Sequence, residues 1–335
     1  MRGTSGGRSR SRKRAPDGAS RAEGFLSESE SYPAGTPDVR SRRLTLRSGL
    51  HVRVVEAGPV AGPGVLLLPG WAASAYLFHR NIPALAAAGL HALTVDIKGH
   101  GWSDKPRERS EYTLPSLVSH ALEAMDALQL DRAMIVGQSL GGAIATGIYF
   151  HSPERVTKLA LIAPAGFGSV RPVSFGPLVL PRVLDPITAR VLPRWLVALV
   201  LRLASGTLEP PTERDIDEYR APARDSAYVR GLVTTLREVD WRELEASQVA
   251  NILVPLLVIF GSADRFISPT HFVELVRKAP RGTPVLLPGA GHIPNDERPD
   301  EVNRLLIDFL LGREGDGSAG RPRRRSGKVS TEDAR

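Results

Sequence analysis

Polar and apolar positions from residue 43 onward switch repeatedly between a period of two and a period near 3.6. Arg43 to Arg47 (RLTLR) alternates, Ser48-Gly49 reads as a turn, and His51 to Glu56 (HVRVVE) alternates again, which predicts a hairpin. Val65 to Leu68 is short and wholly apolar, as expected of a strand buried on both faces. Ala75 to Ala88 predicts a helix closed by Gly89, and His91 to Asp96 predicts a strand running into a glycine-rich loop. Leu117 to Leu130 carries apolar residues at 117, 118, 121, 122, 125 and 128, which is one face of a helix. Ala133 to Val136 predicts the next buried strand. Gly142 to Phe150 predicts a helix of small residues stopped before Pro153, and Val156 to Ile162 another strand.

The pattern then changes. Residues 167–250 carry helix signals and many prolines but no strand run. Alternation resumes with a strand at Val254 to Phe260, a helix at Pro269 to Lys278, a strand at Pro284 to Leu287 and a helix at Asp300 to Leu311. Repeated strand–helix units imply an α/β fold, a mostly parallel sheet with helices on both faces. The core is expected over 43–166 and 251–312, and 167–250 as a helical cap over the carboxyl ends of the strands, where open α/β sheets bind ligands. Residues 1–42 and 313–335 show no periodicity and are expected to be disordered tails.

Composition narrows the chemistry more than the fold. The 335 residues allow one large domain or two small ones. No cysteine is present, which excludes disulfide frameworks, thiolate metal sites and thiol nucleophiles. The net charge of +8 resides in the two basic tails, because residues 44–312 hold 27 basic and 27 acidic side chains. The basic balance therefore does not call for a nucleic-acid partner. No apolar h-region follows the basic cluster Arg8 to Arg14, and no run of about 20 apolar residues occurs, so the expectation is a cytoplasmic protein without a transmembrane segment.

Gly137-Gln138-Ser139-Leu140-Gly141 fits G-x-S-x-G between a predicted buried strand and a predicted helix. In that setting the serine sits on a tight, strained turn at the apex, with small residues on both sides and a helix N-terminus behind it. A serine hydroxyl needs a base. His292 stands in Gly289-Ala290-Gly291-His292, just after the strand at Pro284 to Leu287. The base needs a carboxylate to fix its tautomer, and Asp264 follows the strand at Val254 to Phe260. Asp96 also ends a strand, but it precedes the serine and reads as a brace for the Lys98-Gly99-His100-Gly101 loop. Two backbone N–H donors are expected for the oxyanion: that of Leu140, after the nucleophile, and that of Trp71, in the Pro69-Gly70-Trp71 loop. Trp71, Phe266 and Ile293 are the candidate substrate-binding residues. Arg220 and Trp241 are candidate polar and aromatic contacts that no motif pins.

These motifs together resemble the α/β-hydrolase fold family, in its large capped group. That group includes ester hydrolases, carbon–carbon bond hydrolases, haloperoxidase-like enzymes, and the dehalogenases and epoxide hydrolases that use an aspartate nucleophile. The resemblance rests on Leu68-Pro69-Gly70-Trp71, on Asp96 to Asp104, on Gly137 to Gly142, on Phe260 to Asp264 and on Gly291-His292. It covers about residues 43–312 and implies an eight-stranded sheet and a Ser139–Asp264–His292 triad in the family's chain order. Pro69 stands where the family usually has histidine in the oxyanion loop, and Lys98 where arginine is more common. With serine at the apex, the resemblance implies an acyl-serine hydrolase, and the apolar helix surface of Leu196, Val197, Leu199, Val200, Leu201 and Leu203 in the cap region points to a mid-sized, mainly apolar ester. Carbon–carbon bond hydrolysis with the same triad and a slow ligand-binding member remain as alternatives. It implies a small-molecule substrate, no metal and no cofactor, and leaves the oligomeric state open.

Overall fold

The computed structural model describes residues 25–170 and 192–313. Eight strands form one sheet in the order β1-β2-β4-β3-β5-β6-β8-β10. They are β1 (Val39–Thr45), β2 (His51–Ala57), β3 (Gly64–Leu68), β4 (His91–Val95), β5 (Ala133–Gln138), β6 (Val156–Ile162), β8 (Leu256–Gly261) and β10 (Gly282–Leu287). A two-residue pair, β7 (Ser169–Val170) with β9 (Ile267–Ser268), lies apart. Only β2 runs against the other seven strands of the main sheet. This is the mostly parallel eight-stranded α/β architecture that the motifs imply.

The wholly apolar strands are buried on both faces. Along β3, Leu66 and Leu68 join a core with α2 (Leu114–Ala127), α3 (Leu140–His151) and α8 (Phe272–Val276). Val65 and Leu67 point the other way, into a core with α1 (Ile82–Ala87) and α10 (Pro299–Leu311). Each fully buried side chain of this kind contributes about 1.5–3 kcal/mol. The chain leaves β3 for β4 on one side and returns to β5 on the other. The loops after β3 and β5 therefore diverge at a switch point, where a crevice opens.

Some element limits differ from the sequence pattern for identifiable reasons. Ala75 to Ala88 is not one helix. A 3-10 turn at Ala75–Phe78 is followed by α1, which restarts with Pro83 in its first turn, since proline cannot supply a hydrogen bond to a continuing helix. The helix predicted at 269–278 is only α8. Residues 169 and 170 form β7, a strand in a region where none is expected, because Ile267–Ser268 supplies an edge to pair with.

The expected tail over 1–42 needs correction in its described part. β1 begins at Val39, and its run of exposed arginines hides the alternation that pairing with β2 imposes. Before it, Ser31 and Tyr32 are buried. The Tyr32 N–H donates to Glu218 Oε1 at 2.7 Å, and the buried Arg53 donates to the Tyr32 carbonyl. The remainder of that tail, 1–24, and residues 314–335 lie outside the described residues.

Between β7 and β8 lie four α-helices among the described residues: α4 (Arg194–Ala204), α5 (Glu213–Arg220), α6 (Ser226–Glu238) and α7 (Ala246–Ala250). They meet the core through specific polar contacts. Trp71 Nε1 donates to the Leu232 carbonyl at 2.9 Å, Tyr228 Oη to the Ala72 carbonyl at 2.9 Å, and Tyr76 Oη to Asp215 Oδ1 at 2.7 Å. Asp96 acts as a brace from within the core. Its carboxylate accepts the N–H groups of Ala75 at 2.7 Å and Trp102 at 2.8 Å.

Candidate active site

Ser139 joins β5 to α3 with φ 52° and ψ −117°, a backbone conformation that costs roughly 1–3 kcal/mol in a residue with a Cβ. The surrounding hydrogen bonds enforce it. The Ser139 N–H donates to the Ile162 carbonyl at 3.0 Å, and the Ser139 carbonyl accepts from Gly142 at 2.9 Å and Ala165 at 3.1 Å. The turn is packed against the loop after β3. A Cβ on Gly141 would lie 2.0 Å from the Leu68 carbonyl oxygen, so only glycine fits there.

Ser139, His292 and Asp264 come together from three separate loops. His292 Nε2 is 3.0 Å from Ser139 Oγ, and His292 Nδ1 is 2.8 Å from Asp264 Oδ2. The other carboxylate oxygen, Oδ1, accepts the N–H groups of Phe266 at 2.8 Å and Ile267 at 3.0 Å. A carboxylate that accepts from Nδ1–H leaves Nε2 as the acceptor facing the hydroxyl. The Phe266 ring packs 5.2 Å from the imidazole. Gln138, beside the serine, donates to the His292 carbonyl at 2.9 Å.

The other histidines in the core have different duties. His120 Nε2 accepts the Lys98 N–H at 3.1 Å, and burial pushes its imidazole down to about 3. His100 is likewise buried and pushed down to about 4. Both are held neutral, His100 within the 98–101 loop and His120 against it. His79 stacks on Tyr76, with ring centroids 4.3 Å apart.

As the first residue of α3, Leu140 presents an N–H with no intrahelical acceptor. The Gly70 backbone lies against the same turn: a Cβ there would sit 3.1 Å from that of Ser139. Trp71 follows, with its indole held by α6.

A cavity opens above Ser139 and His292, walled by Trp71, Leu77, Val200, Trp241, Phe266 and Ile293. Trp71, Phe266 and Ile293, expected beside the substrate, all line it. A second, smaller space adjoins it beyond Val200, Leu201 and Tyr219, under Leu196 and Val197 of α4. Among the described residues no Asp, Glu, Lys or Arg lines either space. Arg220 is not part of the wall. Its guanidinium lies 3.8 Å over the Phe25 ring and donates to the Leu192 carbonyl at 2.9 Å. The apolar surface of α4 divides: Leu199 and Leu203 face outward with Trp195, while Leu196, Val197, Val200 and Leu201 face the cavities. Leu77 and Tyr219 carry no sequence signal of their pocket position, since tertiary packing alone brings them there.

Asp296, four residues after His292, is a buried carboxyl with an unusual environment. Arg80 Nε lies 3.3 Å from Oδ1 but outside hydrogen-bonding geometry, and Oδ1 has no hydrogen-bond partner. Burial outweighs the partly exposed arginine and pushes the carboxyl up to about 6. Between pH about 4 and 6 the folded state keeps a proton that the unfolded state has released, so stability falls with rising pH across that window. Asp296→Asn is therefore expected to raise the melting temperature at pH 8, by up to about 3 kcal/mol in stability, and to give no gain at pH 4. Thermal melts at the two pH values check this. An equal shift at both would refute it.

A family model for the alpha/beta hydrolase fold matches residues 63–299. Epoxide hydrolase A of Mycobacterium tuberculosis is 28% identical over 319 residues, covering 82% of this chain and 98% of that protein. The crystal structure of a membrane phospholipase A, a bacterial virulence factor, superposes with a TM-score of 0.68 at 25% identity, covering 82% of this chain and 86% of that one. A serine hydrolase involved in carbazole degradation gives a TM-score of 0.69 at 22% identity, covering 82% and 100%, a likeness of fold. No described helix is long and apolar enough to cross a membrane. With the matched segment spanning six of the eight strands of the sheet, the serine turn and the loops of Asp264 and His292, the chain belongs to the alpha/beta hydrolase fold family.

Proposed function

We propose that the protein is a serine-dependent carboxylic ester hydrolase for a neutral, mainly apolar substrate, with α4–α7 as the cap over its site. The observation that carries this reading is a strained serine, hydrogen-bonded to a carboxylate-oriented histidine, at the floor of a cavity that no Asp, Glu, Lys or Arg lines among the described residues. Ser139 Oγ attacks the acyl carbon while His292 Nε2 takes its proton, and Asp264 stabilises the imidazolium. The N–H groups of Leu140 and Trp71 receive the negative oxygen of the tetrahedral intermediate. The intermediate collapses to an acyl-serine, and the alcohol leaves with the proton from His292. A water, deprotonated by His292, attacks the acyl-serine. Its collapse releases the acid and returns the proton to Ser139.

The serine separates this site from the epoxide hydrolases it resembles in sequence, which place an aspartate at the apex. Walls that carry no Lys or Arg among the described residues favour a neutral ester over an anionic carbon–carbon substrate, because a buried carboxylate would need a cation beside it.

A chain-length series of p-nitrophenyl esters tests the proposal. Each buried methylene is worth about 0.8 kcal/mol. The four methylenes that separate hexanoate from acetate are together worth about 3 kcal/mol, so kcat/KM is expected to rise by up to about 200-fold between the two esters. A strong preference for acetate would overturn the apolar-ester reading, and turnover of none of the esters would overturn the ester reading itself.

A further inference from the structure

The end of α4 is joined backbone to backbone to the loop that carries His292. The His292 N–H donates to the Ala204 carbonyl at 2.7 Å. Glu297 lies on the turn of helix that follows the histidine, α9 (Pro294–Glu297), and its carboxylate reaches both partners. Oε2 accepts the Gly206 N–H at 2.9 Å, and the Gly291 N–H lies 3.0 Å from Oε1 and 3.1 Å from Oε2. From the loop of the acid, Arg265 donates to the carbonyls of Ser205 at 2.7 Å and Gly206 at 3.3 Å. The two main chains touch so closely that a Cβ on Gly206 would lie 2.0 Å from the Gly289 oxygen, and one on Gly291 would lie 2.2 Å from the Ala204 oxygen.

We propose that Glu297 is a positioning residue that locks the seating of α4 to the placement of His292. The inference rests on the serine-hydrolase reading of the site for its kinetic consequence, though not for the contact itself. The main chain of His292 is held between α4 on one side and Gln138 on the other. Any shift of residues 204–206 is therefore transmitted to the imidazole. One carboxylate can accept from Gly206 and Gly291 at once. A glutamine offers a single acceptor oxygen and turns an amide N–H toward the other donor.

The test compares the full-length wild type with Glu297→Ala and Glu297→Gln. Three quantities are measured: the rate at which a fluorophosphonate labels Ser139, kcat and KM for p-nitrophenyl butyrate, and amide hydrogen exchange. A displaced base costs about 10–100-fold in rate for a shift on the order of 1 Å. Glu297→Ala is expected to slow labelling and lower kcat by that factor. It should change KM less than kcat, and it should speed exchange in 204–206 and 289–292 together. Glu297→Gln is expected to fall between wild type and Glu297→Ala, and it carries the test if the alanine variant fails to fold. Labelling and kcat within twofold of wild type, or faster exchange in only one of the two segments, would overturn the proposal. If the wild type neither labels nor hydrolyses the ester, the serine-hydrolase reading fails, and the exchange arm alone still decides whether Glu297 joins the two segments.

Discussion

Ser139→Ala is expected to abolish both fluorophosphonate labelling and turnover of p-nitrophenyl butyrate, with kcat falling about 10⁴–10⁶-fold. The hydroxyl is the only atom lost. Alanine keeps the Cβ, so the strain at φ 52° and the hydrogen bonds that hold the turn are unchanged. The melting temperature should accordingly stay within a few degrees of wild type, on the order expected for a change well below 1 kcal/mol. That separation is the strength of the experiment, since activity should vanish while the fold persists. A variant that retained a tenth of wild-type turnover would remove Ser139 from the proposed chemistry and leave the geometry around it without a catalytic meaning.

The second large effect concerns a residue with no reactive group. Gly141→Ala would place a methyl 2.0 Å from the Leu68 carbonyl oxygen and 2.7 Å from that of Pro69. Both obstacles are backbone, so no side-chain rotation can relieve the clash. Either the serine turn or the loop of Gly70 and Trp71 must move. In the proposed mechanism those two pieces hold the attacking oxygen and the two oxyanion donors, whose mutual placement matters on the scale of 1 Å. We expect kcat/KM to fall at least about 100-fold. Overpacking should lower stability by about 1–3 kcal/mol. Steady-state kinetics with thermal melts measure both. Activity within threefold of wild type would mean that the two loops can separate without consequence, contrary to the proposed oxyanion arrangement.

The parts of this site legible in the sequence are those with local signals. The serine turn is written in five consecutive residues between a buried strand and a helix. Asp264 and His292 each follow a readable strand. Leu77, Tyr219 and the Glu297 contacts are different, because each depends on segments far apart in the chain that meet only after folding. The same holds for residues 25–38. Their polar composition reads as a tail, yet the Tyr32 N–H finds the buried carboxylate of Glu218, 186 positions later. β1 is hidden for another reason. Its strand character comes from pairing with β2, while Arg40, Arg42 and Arg43 erase the alternation. Pro83 is the reverse case, a local break set inside an apolar run whose period alone predicts one continuous helix.

The placement of those arginines bears on association between molecules. The sheet ends in β1 on one side and β10 on the other, and an open strand edge is a template for pairing with another chain. β1 carries charge along the strand, and β10 carries Pro284, which has no N–H to offer. Both borders are thus poor templates. A fragment cut to residues 63–299 would remove β1 and β2 and expose β4, whose five residues are all buried in the intact chain. The guarded border would be exchanged for an apolar, unpaired one, and the fragment would be prone to aggregate edge to edge even with Ser139, Asp264 and His292 all retained.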